Sequence, residues 1–558
     1  MAAETAIEVR GLRVTYGDVV AVDGIDLGVR TGEVFAVLGP NGAGKTSTVE
    51  HLEGFRPRAG GEVRVLGEDP ETAGAAWRGR LGVVLQESSV EPELTVAEVV
   101  ELYAGYHERP LPLDDVLRLV GLSEVRDRRG GRLSGGQQRR VDVALALVGD
   151  PELVFLDEPT TGFDPSARRA TWAMIEGLRE LGKTIVLTTH YLEEAERLAD
   201  RIAVIARGRI VAEGTPATLG DRDRAPSRVS FTPPQDAGPA ARALGPRAAR
   251  PRQRPDRPAG RAAGRADRMG ARRGHRAARP RGPPPVARGR LPRPRPGGRR
   301  VSAASLVVHQ TRFDLRAFAR NREARFFTML LPLIFLVIFA AVFGNDTVTV
   351  DGREIKQTTY YVPNLMALAI VSAAVQSLVI AVVTQRESGI LKRRRSTPVP
   401  AWALIGGRAL TSVVIVFANF AALALVGAVL YGVALPGRTL PATLFTVALG
   451  GASLCCVGFA IATFVRSEDA ATPVVQAITL PLFFISGVFI PDDAIPDGLL
   501  AVASVFPVRP LAQALLEAYD PATTGAGFAW GHLAVVAAWG VAGLAVAARR
   551  FKWMPQGR

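Results

Sequence analysis

The segment Gly39-Pro-Asn-Gly-Ala-Gly-Lys-Thr46 decides the fold of the N-terminal part of the chain. It follows the apolar run Val34 to Leu38, so a strand, a glycine loop and a helix start come in the order that phosphate binding requires. The glycines let backbone N–H groups approach phosphate oxygens, and the helix N-terminus faces their negative charge. Lys45 is placed to reach the β- and γ-phosphates, and Thr46 to ligate Mg²⁺.

An α/β rhythm surrounds this segment from Ile7 to about Gly220. Short apolar runs such as Leu153 to Leu156 alternate with polar, helix-compatible stretches such as Ser166 to Leu181. The strand runs are continuous rather than alternating, which is typical of strands buried on both faces of a parallel sheet. Residues 1–220 are therefore predicted to form an α/β P-loop NTPase domain that binds ATP and Mg²⁺.

Two acidic residues follow the buried strand that ends at Leu156. Asp157 is placed to hold hydrated Mg²⁺, and Glu158 to polarise the water that attacks the γ-phosphate. Acids after a strand also occur as solvated helix starts. The position of this pair downstream of the phosphate loop favours the catalytic interpretation.

The segment Leu133-Ser-Gly-Gly-Gln137 lies between these motifs and gives the domain a specific resemblance. With it, residues 6 to 220 resemble the ABC ATPase family. In that family this loop closes over the γ-phosphate of an ATP held by the other subunit, so the resemblance implies a homodimer. A helix cap without further function is the alternative, although serine and glycine N–H groups at a helix start suit an anion.

The other positions of the family pattern are also filled. The resemblance implies that Tyr16 stacks on adenine, that Gln86 lies near Mg²⁺ and senses the membrane domain, and that His190 contacts the γ-phosphate. Thr161-Gly-Phe-Asp164 matches the loop that joins the two ATPase halves, although the family commonly has Leu where this chain has Phe163.

The predicted site residues fall into three groups. Nucleotide binding is assigned to Tyr16, Gly39, Pro40, Asn41, Gly42, Ala43, Gly44, Lys45, Thr46, Ser47, Gln86, Ser134, Gly135, Gly136, Gln137 and Asp164. Catalysis is assigned to Glu158 and His190, and Mg²⁺ binding to Thr46, Gln86 and Asp157. A lone histidine at a strand end also fits a structural role, but Leu192-Glu-Glu-Ala-Glu196 follows His190 as in the family.

The C-terminal part, residues 301–558, carries apolar runs near the roughly 20 residues that a membrane crossing needs. We predict an all-α membrane domain with six spans at Phe326 to Gly344, Leu365 to Thr384, Leu410 to Tyr431, Ala442 to Val465, Ala471 to Ile490 and Ala529 to Ala548. The two cysteines, Cys455 and Cys456, are neighbours on one apolar run and are badly placed to bridge each other.

Basic residues set the predicted orientation of these spans. Cations precede the first span and follow the second, fourth and sixth, at Arg325, Lys392 to Arg395, Arg466 and Arg549 to Lys552. All four clusters fall on one side, which the positive-inside rule makes cytoplasmic. The N-terminus has no secretory h-region. We therefore expect a multi-pass protein of the cell membrane with the ATPase domain and both termini in the cytoplasm.

Three local features of residues 301–558 resemble the ABC-2 type exporters. Arg386 to Pro398 matches the cytoplasmic helix that touches the ATPase, and Ser486-Gly-Val-Phe-Ile-Pro491 matches the start of short outer helices. The basic amphipathic stretch before Phe326 is expected along the inner membrane face. Each has a simpler alternative, a topology anchor for the cations or a helix break for the prolines.

Polar residues inside the predicted spans leave two interpretations open. Asn419 and Gln476 line a substrate path or hold helices together, because polar groups in a bilayer face protein or water.

Residues 221–300 are predicted to be a linker without a core. From Ala241 to Arg300 there are 20 Arg, no Lys and two Asp, which more than accounts for the net charge of +15. A nucleic-acid arm, a tether on anionic lipid and an accessory domain garbled by compensating frameshifts all fit this composition. Val229-Ser230-Phe231 still looks like a strand start, which favours the garbled domain.

Taken together, the motifs predict an ATP-driven half-transporter that works as a homodimer in membrane lipid. Arg140-Val-Asp-Val-Ala-Leu-Ala-Leu147 is similar to the daunorubicin-type resistance exporters, which implies a small hydrophobic drug, antibiotic or secondary metabolite as substrate. Lipid and polysaccharide remain alternative cargoes. No nucleic-acid partner is expected. The rival interpretations are a non-transporting regulator that binds nucleic acid and an exporter damaged in residues 221–300.

Overall fold

The computed structural model describes residues 5–86, 89–219, 302–343, 346–350, 353–520 and 522–555. The predictions for the linker 221–300, including the strand start at Val229, lie outside the described residues.

A mainly parallel sheet forms the centre of the N-terminal domain. Its central strand β3 is apolar and buried on both faces, as the continuous run predicted. In the described residues the order is β5-β6-β7-β3-β8-β9, with only β9 antiparallel to its neighbour. The strands are β3 Val34–Leu38, β5 Leu81–Val84, β6 Leu153–Asp157, β7 Thr184–Thr189, β8 Arg201–Ala206 and β9 Arg209–Gly214.

A second, antiparallel sheet with the order β2-β1-β4 packs over the phosphate-loop side of the core. Its strands are β1 Thr5–Tyr16, β2 Val19–Arg30 and β4 Gly60–Val65. Both sheets share one apolar cluster, which includes Ile7, Leu12 and Phe35. The end of β1 therefore brings Tyr16 to the neighbourhood of the phosphate loop.

Three helices of this domain begin at residues whose side chains satisfy free N–H groups. Thr95 and Ser134 each form a capping box, and Asp164 caps a helix whose first residue is a proline. The helices are α1 Lys45–Leu52, α2 Ala75–Arg78, α3 Val96–Ala104, α4 Leu113–Leu119, α5 Gly135–Leu147, α6 Pro165–Glu180 and α7 Leu192–Leu198. This domain has the predicted α/β fold.

The C-terminal domain is helical. Its helices are α8 Ala303–Arg320, α9 Arg322–Phe343, α10 Gln357–Glu387, α11 Ile390–Arg395, α12 Ala401–Tyr431, α13 Leu440–Phe464, α14 Glu468–Ile485, α15 Asp497–Val505, α16 Val508–Tyr519 and α17 Trp530–Arg550. A short hairpin, Thr347–Val350 with Arg353–Lys356, departs from the all-α prediction.

Five described helices are long and apolar enough to cross a membrane, namely α9, α10, α12, α13 and α17. The pair α15 and α16, bent by 95°, makes a sixth crossing if it counts as one broken span. The predicted fifth span instead corresponds to α14, which is not among the five. Its first turn carries Glu468 and Asp469, and Pro473 and Pro481 lie inside it, which makes it less apolar than a span needs. A crossing at α14 stays a prediction.

Candidate functional site

The phosphate loop between β3 and α1 has a shape that only glycine permits. Gly44 has φ 104°, and a Cβ there would lie 2.5 Å from the carbonyl oxygen of Ala21. The Lys45 ammonium donates to the carbonyl oxygens of Gly39 at 2.8 Å and Pro40 at 3.0 Å. The lysine is thus held across the loop, where the phosphates of a nucleotide bind.

The predicted catalytic carboxylate, Glu158, contacts side chains from four parts of the fold. Lys45 lies 3.5 Å from it and His190 lies 3.4 Å from it. The Gln86 amide donates to it at 3.3 Å, and the Thr161 hydroxyl at 3.0 Å. The structure therefore brings together four residues that were predicted from separate motifs, Lys45, Gln86, Glu158 and His190, and adds Thr161.

The backbone at Glu158 is held in an unusual conformation. Its φ is 46°, a left-handed value that costs a non-glycine residue on the order of 1–3 kcal/mol. Its N–H lies 3.0 Å from the Thr188 hydroxyl and 3.2 Å from the Thr188 carbonyl oxygen, on the neighbouring strand β7. Such strain is concentrated at functional sites, and here it turns the carboxylate toward Lys45.

Asp157 is buried beside Glu158 and fits a magnesium ligand. Burial raises the pKa of Asp157 above its ordinary value, although the Thr188 hydroxyl donates to it at 2.5 Å. A buried carboxylate whose ionised form is disfavoured is stabilised by a nearby cation. Thr46, in the first turn of α1, supplies the hydroxyl oxygen, and both are oxygen ligands that Mg²⁺ prefers. Asp157 and Thr46 would hold the ion, with Gln86 beside them.

Arg139 contributes to the site and was not predicted. From helix α5 its guanidinium donates to the carbonyl oxygen of Asp157 at 2.8 Å and to that of Leu85. It thereby joins the helix of the Ser134 segment to the strand ends that carry Asp157 and Gln86. Thr161 and Thr188 were also missed. The polar pair Thr188-Thr189 at the end of an apolar strand was the available signal.

Tyr16 is exposed next to the phosphate loop. Its hydroxyl donates to Ser47 at 3.2 Å, and the Arg56 guanidinium lies 5.1 Å from its ring centre. Arg56 occupies one face of the ring, so an adenine base would stack on the other. The adenine contact stays a prediction.

Ser134 caps helix α5 and remains exposed. Its hydroxyl accepts from the Gln137 N–H at 3.3 Å, and the Gln137 side chain accepts from the Ser134 N–H at 3.0 Å. A Cβ added at Gly135 or Gly136 would meet nothing within 4 Å. The packing of this chain does not demand glycine at either position, so the loop has room for close approach by a ligand or a second chain.

Asp164 lies apart from Glu158, at the start of α6. Its carboxylate accepts from the N–H groups of Ser166 at 2.8 Å and Ala167 at 3.0 Å, and these hydrogen bonds lower its pKa. The structure thus gives Asp164 a helix-capping role, while its predicted nucleotide role stays a prediction.

Helix α11 contacts the ATPase domain through three consecutive cations. Lys392 lies 2.5 Å from Glu50 on the phosphate-loop helix α1. Arg393 lies 2.5 Å from Asp142 on α5, and Arg394 lies 2.8 Å from Glu91 beyond Gln86. The predicted contact between this helix and the ATPase is confirmed, and each cation contacts a different element of the nucleotide site.

These ion pairs are shielded from water. Arg393 and Arg394 are each 2% exposed, so each guanidinium depends on its carboxylate partner. Glu50 loses solvation on burial, yet Lys392 and Arg56 bring its pKa below its ordinary value. Removing one partner of a buried pair typically costs about 3–5 kcal/mol.

The amphipathic helix α8 forms a second contact between the domains. The Tyr106 hydroxyl donates to Gln310 at 2.6 Å, and the Gln310 amide donates to Asp314 at 3.0 Å. Asp314 in turn lies 3.4 Å from Arg408 on α12. Arg320 pairs with Glu98 at the end of the same helix. One side of this stretch therefore packs on the ATPase domain, and its place along the inner membrane face stays a prediction.

The two polar residues of the predicted spans differ in their surroundings. Asn419 on α12 is 2% exposed, whereas Gln476 on α14 is exposed on the surface of the single chain. Asn419 therefore lies between helices, and Gln476 lies on a face that lipid, cargo or another chain would cover.

Comparison with protein families matches both halves of the chain. Residues 22–161 match the model described as "ABC transporter", and residues 307–519 match the model described as "ABC-2 type transporter".

Curated relatives match the N-terminal half. "Nod factor export ATP-binding protein I" of Sinorhizobium fredii is 44% identical over 227 residues, 39% of this chain and 65% of that protein. The protein of the same name from Paraburkholderia xenovorans is 42% identical over 221 residues, covering 39% and 73%. That from Cupriavidus pinatubonensis is 45% identical over 228 residues, covering 39% and 69%.

Solved structures also resemble part of the chain. An ATP-binding cassette of an ABC transporter in its ADP conformation is 26% identical, with a TM-score of 0.34. The match covers 38% of this chain and 91% of that structure. A dimeric post-hydrolysis cassette bound to ADP and Pi has 25% identity and a TM-score of 0.35, with 38% and 98% covered.

Proposed function

This chain belongs to the ABC transporter family, and we propose that it is an ATP-driven exporter that works as a homodimer and moves a hydrophobic drug, antibiotic or secondary metabolite out of the cytoplasm. It combines an ATP-binding domain with an ABC-2 type membrane domain. The observation that carries the proposal is the set of three buried or half-buried ion pairs between helix α11 and the nucleotide site.

The N-terminal domain binds ATP with Mg²⁺, and the residues around Glu158 define the chemistry. The phosphate-loop N–H groups and Lys45 bind the phosphates, and phosphate oxygens replace the Gly39 and Pro40 carbonyls as acceptors for the lysine. Mg²⁺, when bound by Thr46 and Asp157, offsets phosphate charge.

The Glu158 carboxylate orients the attacking water and accepts its proton. Gln86, Thr161 and His190 hold that carboxylate in place by the contacts described above. His190 also lies on the side where the γ-phosphate is expected.

Dimer formation is supported by the position of the Ser134 loop. In the described residues the Ser134 hydroxyl accepts from the Gln137 N–H, and a Cβ at Gly135 or Gly136 would meet nothing within 4 Å. A second chain that supplies this loop over the ATP held by Lys45 would complete two equivalent sites. A twofold arrangement makes both contacts identical.

Coupling to the membrane follows from the elements that α11 contacts. Closure of the ATPase dimer moves α1, α5 and the segment after Gln86 relative to each other. Lys392, Arg393 and Arg394 are bound to these three elements, so the movement reaches α10 and α12, which flank α11. The Tyr106-Gln310-Asp314-Arg408 chain gives α12 a second connection.

The same contacts support the proposed orientation. Lys392, Arg393 and Arg394 contact the ATPase domain, so the segment between α10 and α12 lies on the side of that domain. With Arg325 and Arg549 on the same side, we propose that the ATPase domain and both termini are cytoplasmic in the cell membrane.

The nature of the cargo rests on the membrane half. The relatives named for Nod factor export match only the ATPase half, which does not form the membrane path. Their name nevertheless makes Nod factor a second candidate cargo. The apolar spans favour a hydrophobic compound in either case.

The experiment is Mg²⁺-dependent ATP hydrolysis by the full chain in lipid, with a panel of amphipathic drugs and Nod factor added. We expect basal hydrolysis, its stimulation by at least one compound, and its loss in Glu158→Gln. Folded protein that binds ATP but hydrolyses none would contradict the proposal and favour the damaged-exporter interpretation. A monomer that hydrolyses at full rate would contradict the shared site.

A further inference from the structure

A groove with a cationic half and an apolar half lies at the start of the first membrane helix, the end proposed to be cytoplasmic. The groove has a volume of about 390 Å³ and is lined by Arg322, Arg325, Phe326, Met329, Leu330 and Leu333. These positions recur at intervals of three and four, so they form one stripe along α9. Two guanidiniums lie at its start, and four apolar side chains continue it toward the membrane centre.

The arginines of this region divide into two sets. Arg316 and Arg320 point at the ATPase and pair with Glu98. Arg322 and Arg325 are exposed, and neither forms an ion pair with any described residue. Glu323, between them in sequence, does not line the groove. The groove thus presents two positive charges that the described parts of the chain leave uncompensated.

The apolar half of the groove is equally open. Phe326 is 41% exposed and Leu330 is 47% exposed, and only 22% of the apolar window of α9 is buried in the chain. Residues Phe326–Leu330 form a π-helical turn, a rare feature that is frequent at functional sites.

We propose that this groove binds an anionic phospholipid of the cytoplasmic leaflet, with its phosphate between Arg322 and Arg325 and an acyl chain along Phe326, Met329 and Leu330. The guanidinium fork matches phosphate geometry, and cations next to a membrane helix attract anionic lipid. The cytoplasmic location rests on the orientation proposed above.

A second copy of the chain fits this groove less well. A twofold contact centred on the stripe would bring Arg322 and Arg325 against the same two arginines, and like charges repel. A phospholipid instead places a negative phosphate next to the two arginines and an apolar acyl chain next to the apolar side chains that follow them.

The bound lipid would also affect the ATPase. The Asn321 side chain accepts from the Ala324 N–H at 2.9 Å and so fixes the junction between α8 and α9. Directly before Asn321, Arg320 pairs with Glu98 of the ATPase domain. A lipid that orders the start of α9 therefore stabilises the docking of α8 on the ATPase.

The test compares retention of lipid by the full chain in vesicles of phosphatidylcholine alone and of phosphatidylcholine mixed with phosphatidylglycerol. Native mass spectrometry of the extracted protein counts the bound phosphatidylglycerol. We expect retention by the wild type, about five-fold weaker affinity in Arg322→Gln or Arg325→Gln, and about 25-fold weaker affinity in the double variant. Soluble glycerol phosphate is expected not to compete, because it lacks the acyl chain.

Arg312→Gln is the matched control, since Arg312 is exposed on α8 but does not line the groove. Equal retention by the double variant and the wild type would overturn the proposal, as would equal losses in Arg312→Gln. A change of oligomeric state in the double variant without loss of lipid would assign the groove to a second copy. Basal ATP hydrolysis in phosphatidylcholine is measured separately. If hydrolysis is normal but lipid is not retained, the lipid site fails while the proposed exporter function stands.

Discussion

The two halves of the molecule differ in where their buried charged side chains lie. In the ATPase domain, buried Lys45, Asp157 and Glu158 lie together around one reacting position. In the described membrane half, the buried charged residues are Asp314, Arg386, Arg393 and Arg394, all between α8 and α11 at the ATPase-facing end. From α12 to α17 the buried polar side chains are neutral hydroxyls and amides.

This difference separates chemistry from transport. Hydrolysis needs charges that stabilise a developing negative charge, and these are confined to the ATPase. From α12 to α17 the described residues include no buried charged side chain, which is compatible with the proposed apolar cargo. The charges of α11 contact the ATPase, in agreement with the proposed role in coupling rather than in cargo binding.

The largest expected effect comes from removing the carboxylate that the ATPase charges surround. Glu158→Gln should lower Mg²⁺-dependent hydrolysis at least 100-fold, because a positioned general base contributes roughly 10²–10⁴-fold. ATP binding should persist, since Lys45 and the phosphate loop are intact. Hydrolysis and nucleotide affinity are measured on the same purified variant. Glu176→Gln, on the surface of α6, is the control and should hydrolyse normally.

The second effect concerns the boundary between the two halves. Arg393→Ala removes the nearer of the two cations at the buried Asp142, which keeps Arg139 at 3.8 Å, and should weaken docking of α11 by up to about 3–5 kcal/mol. We expect ATP binding to survive and stimulation of hydrolysis by cargo to be lost. The readout is the ratio of stimulated to basal hydrolysis.

Arg395→Ala is the matched control for that prediction, because Arg395 lies on the same helix and forms no ion pair with a described residue. Asp142→Ala combined with Arg393→Ala should cost less than the two single changes together, since the double variant leaves neither member of this pair without the other. Strictly additive effects would show that the pair does not couple the domains.

A smaller effect is expected at the contact of α8. Tyr106→Phe removes the hydroxyl that donates to Gln310 and leaves a buried acceptor unpaired, at a cost of roughly 1–2 kcal/mol in thermal stability. Tyr519→Phe is the comparison, because the buried Tyr519 hydroxyl has no hydrogen-bond partner among the described residues. If both variants lose equal stability, the Tyr106–Gln310 hydrogen bond does not contribute to stability.

The smallest expected effect is a pH dependence of the same contact. Burial opposes ionisation of Glu98, but Arg320 and Thr95 lower its pKa below the ordinary 4.5. The pair therefore stabilises docking above pH 4.5, and that contribution is lost as the pH falls below it. Because Glu98 is partly exposed, the effect is small. The melting temperature should fall between pH 7 and pH 4 in the wild type, and it should fall less in Glu98→Gln. An equal fall in both proteins would contradict this.

The fold and most of the nucleotide site could be predicted because their signals are local. The phosphate loop, Glu158 and Ser134 lie in short segments whose residue types are dictated by phosphate chemistry. Arg139 and Thr188 were missed because their roles depend on packing between α5, β6 and β7. No short pattern distinguishes Arg139 from its neighbour Arg140.

The membrane half was less predictable. Lys392 to Arg395 pointed to the ATPase, but the three acids that receive Lys392, Arg393 and Arg394 lie in distant segments. The fifth span was placed by hydropathy alone, whereas the prolines and acids of α14 lower its apolar character. The 95° bend between α15 and α16 depends on their packing with α10 and α14.

The central claim, that hydrolysis at Glu158 drives export through the membrane half, is tested most directly in inside-out vesicles. ATP-dependent accumulation of a fluorescent amphipathic dye is measured for the wild type and for Glu158→Gln at equal protein content. The account predicts accumulation by the wild type and none by the variant, although the variant still binds ATP. Equal accumulation by both proteins would contradict it.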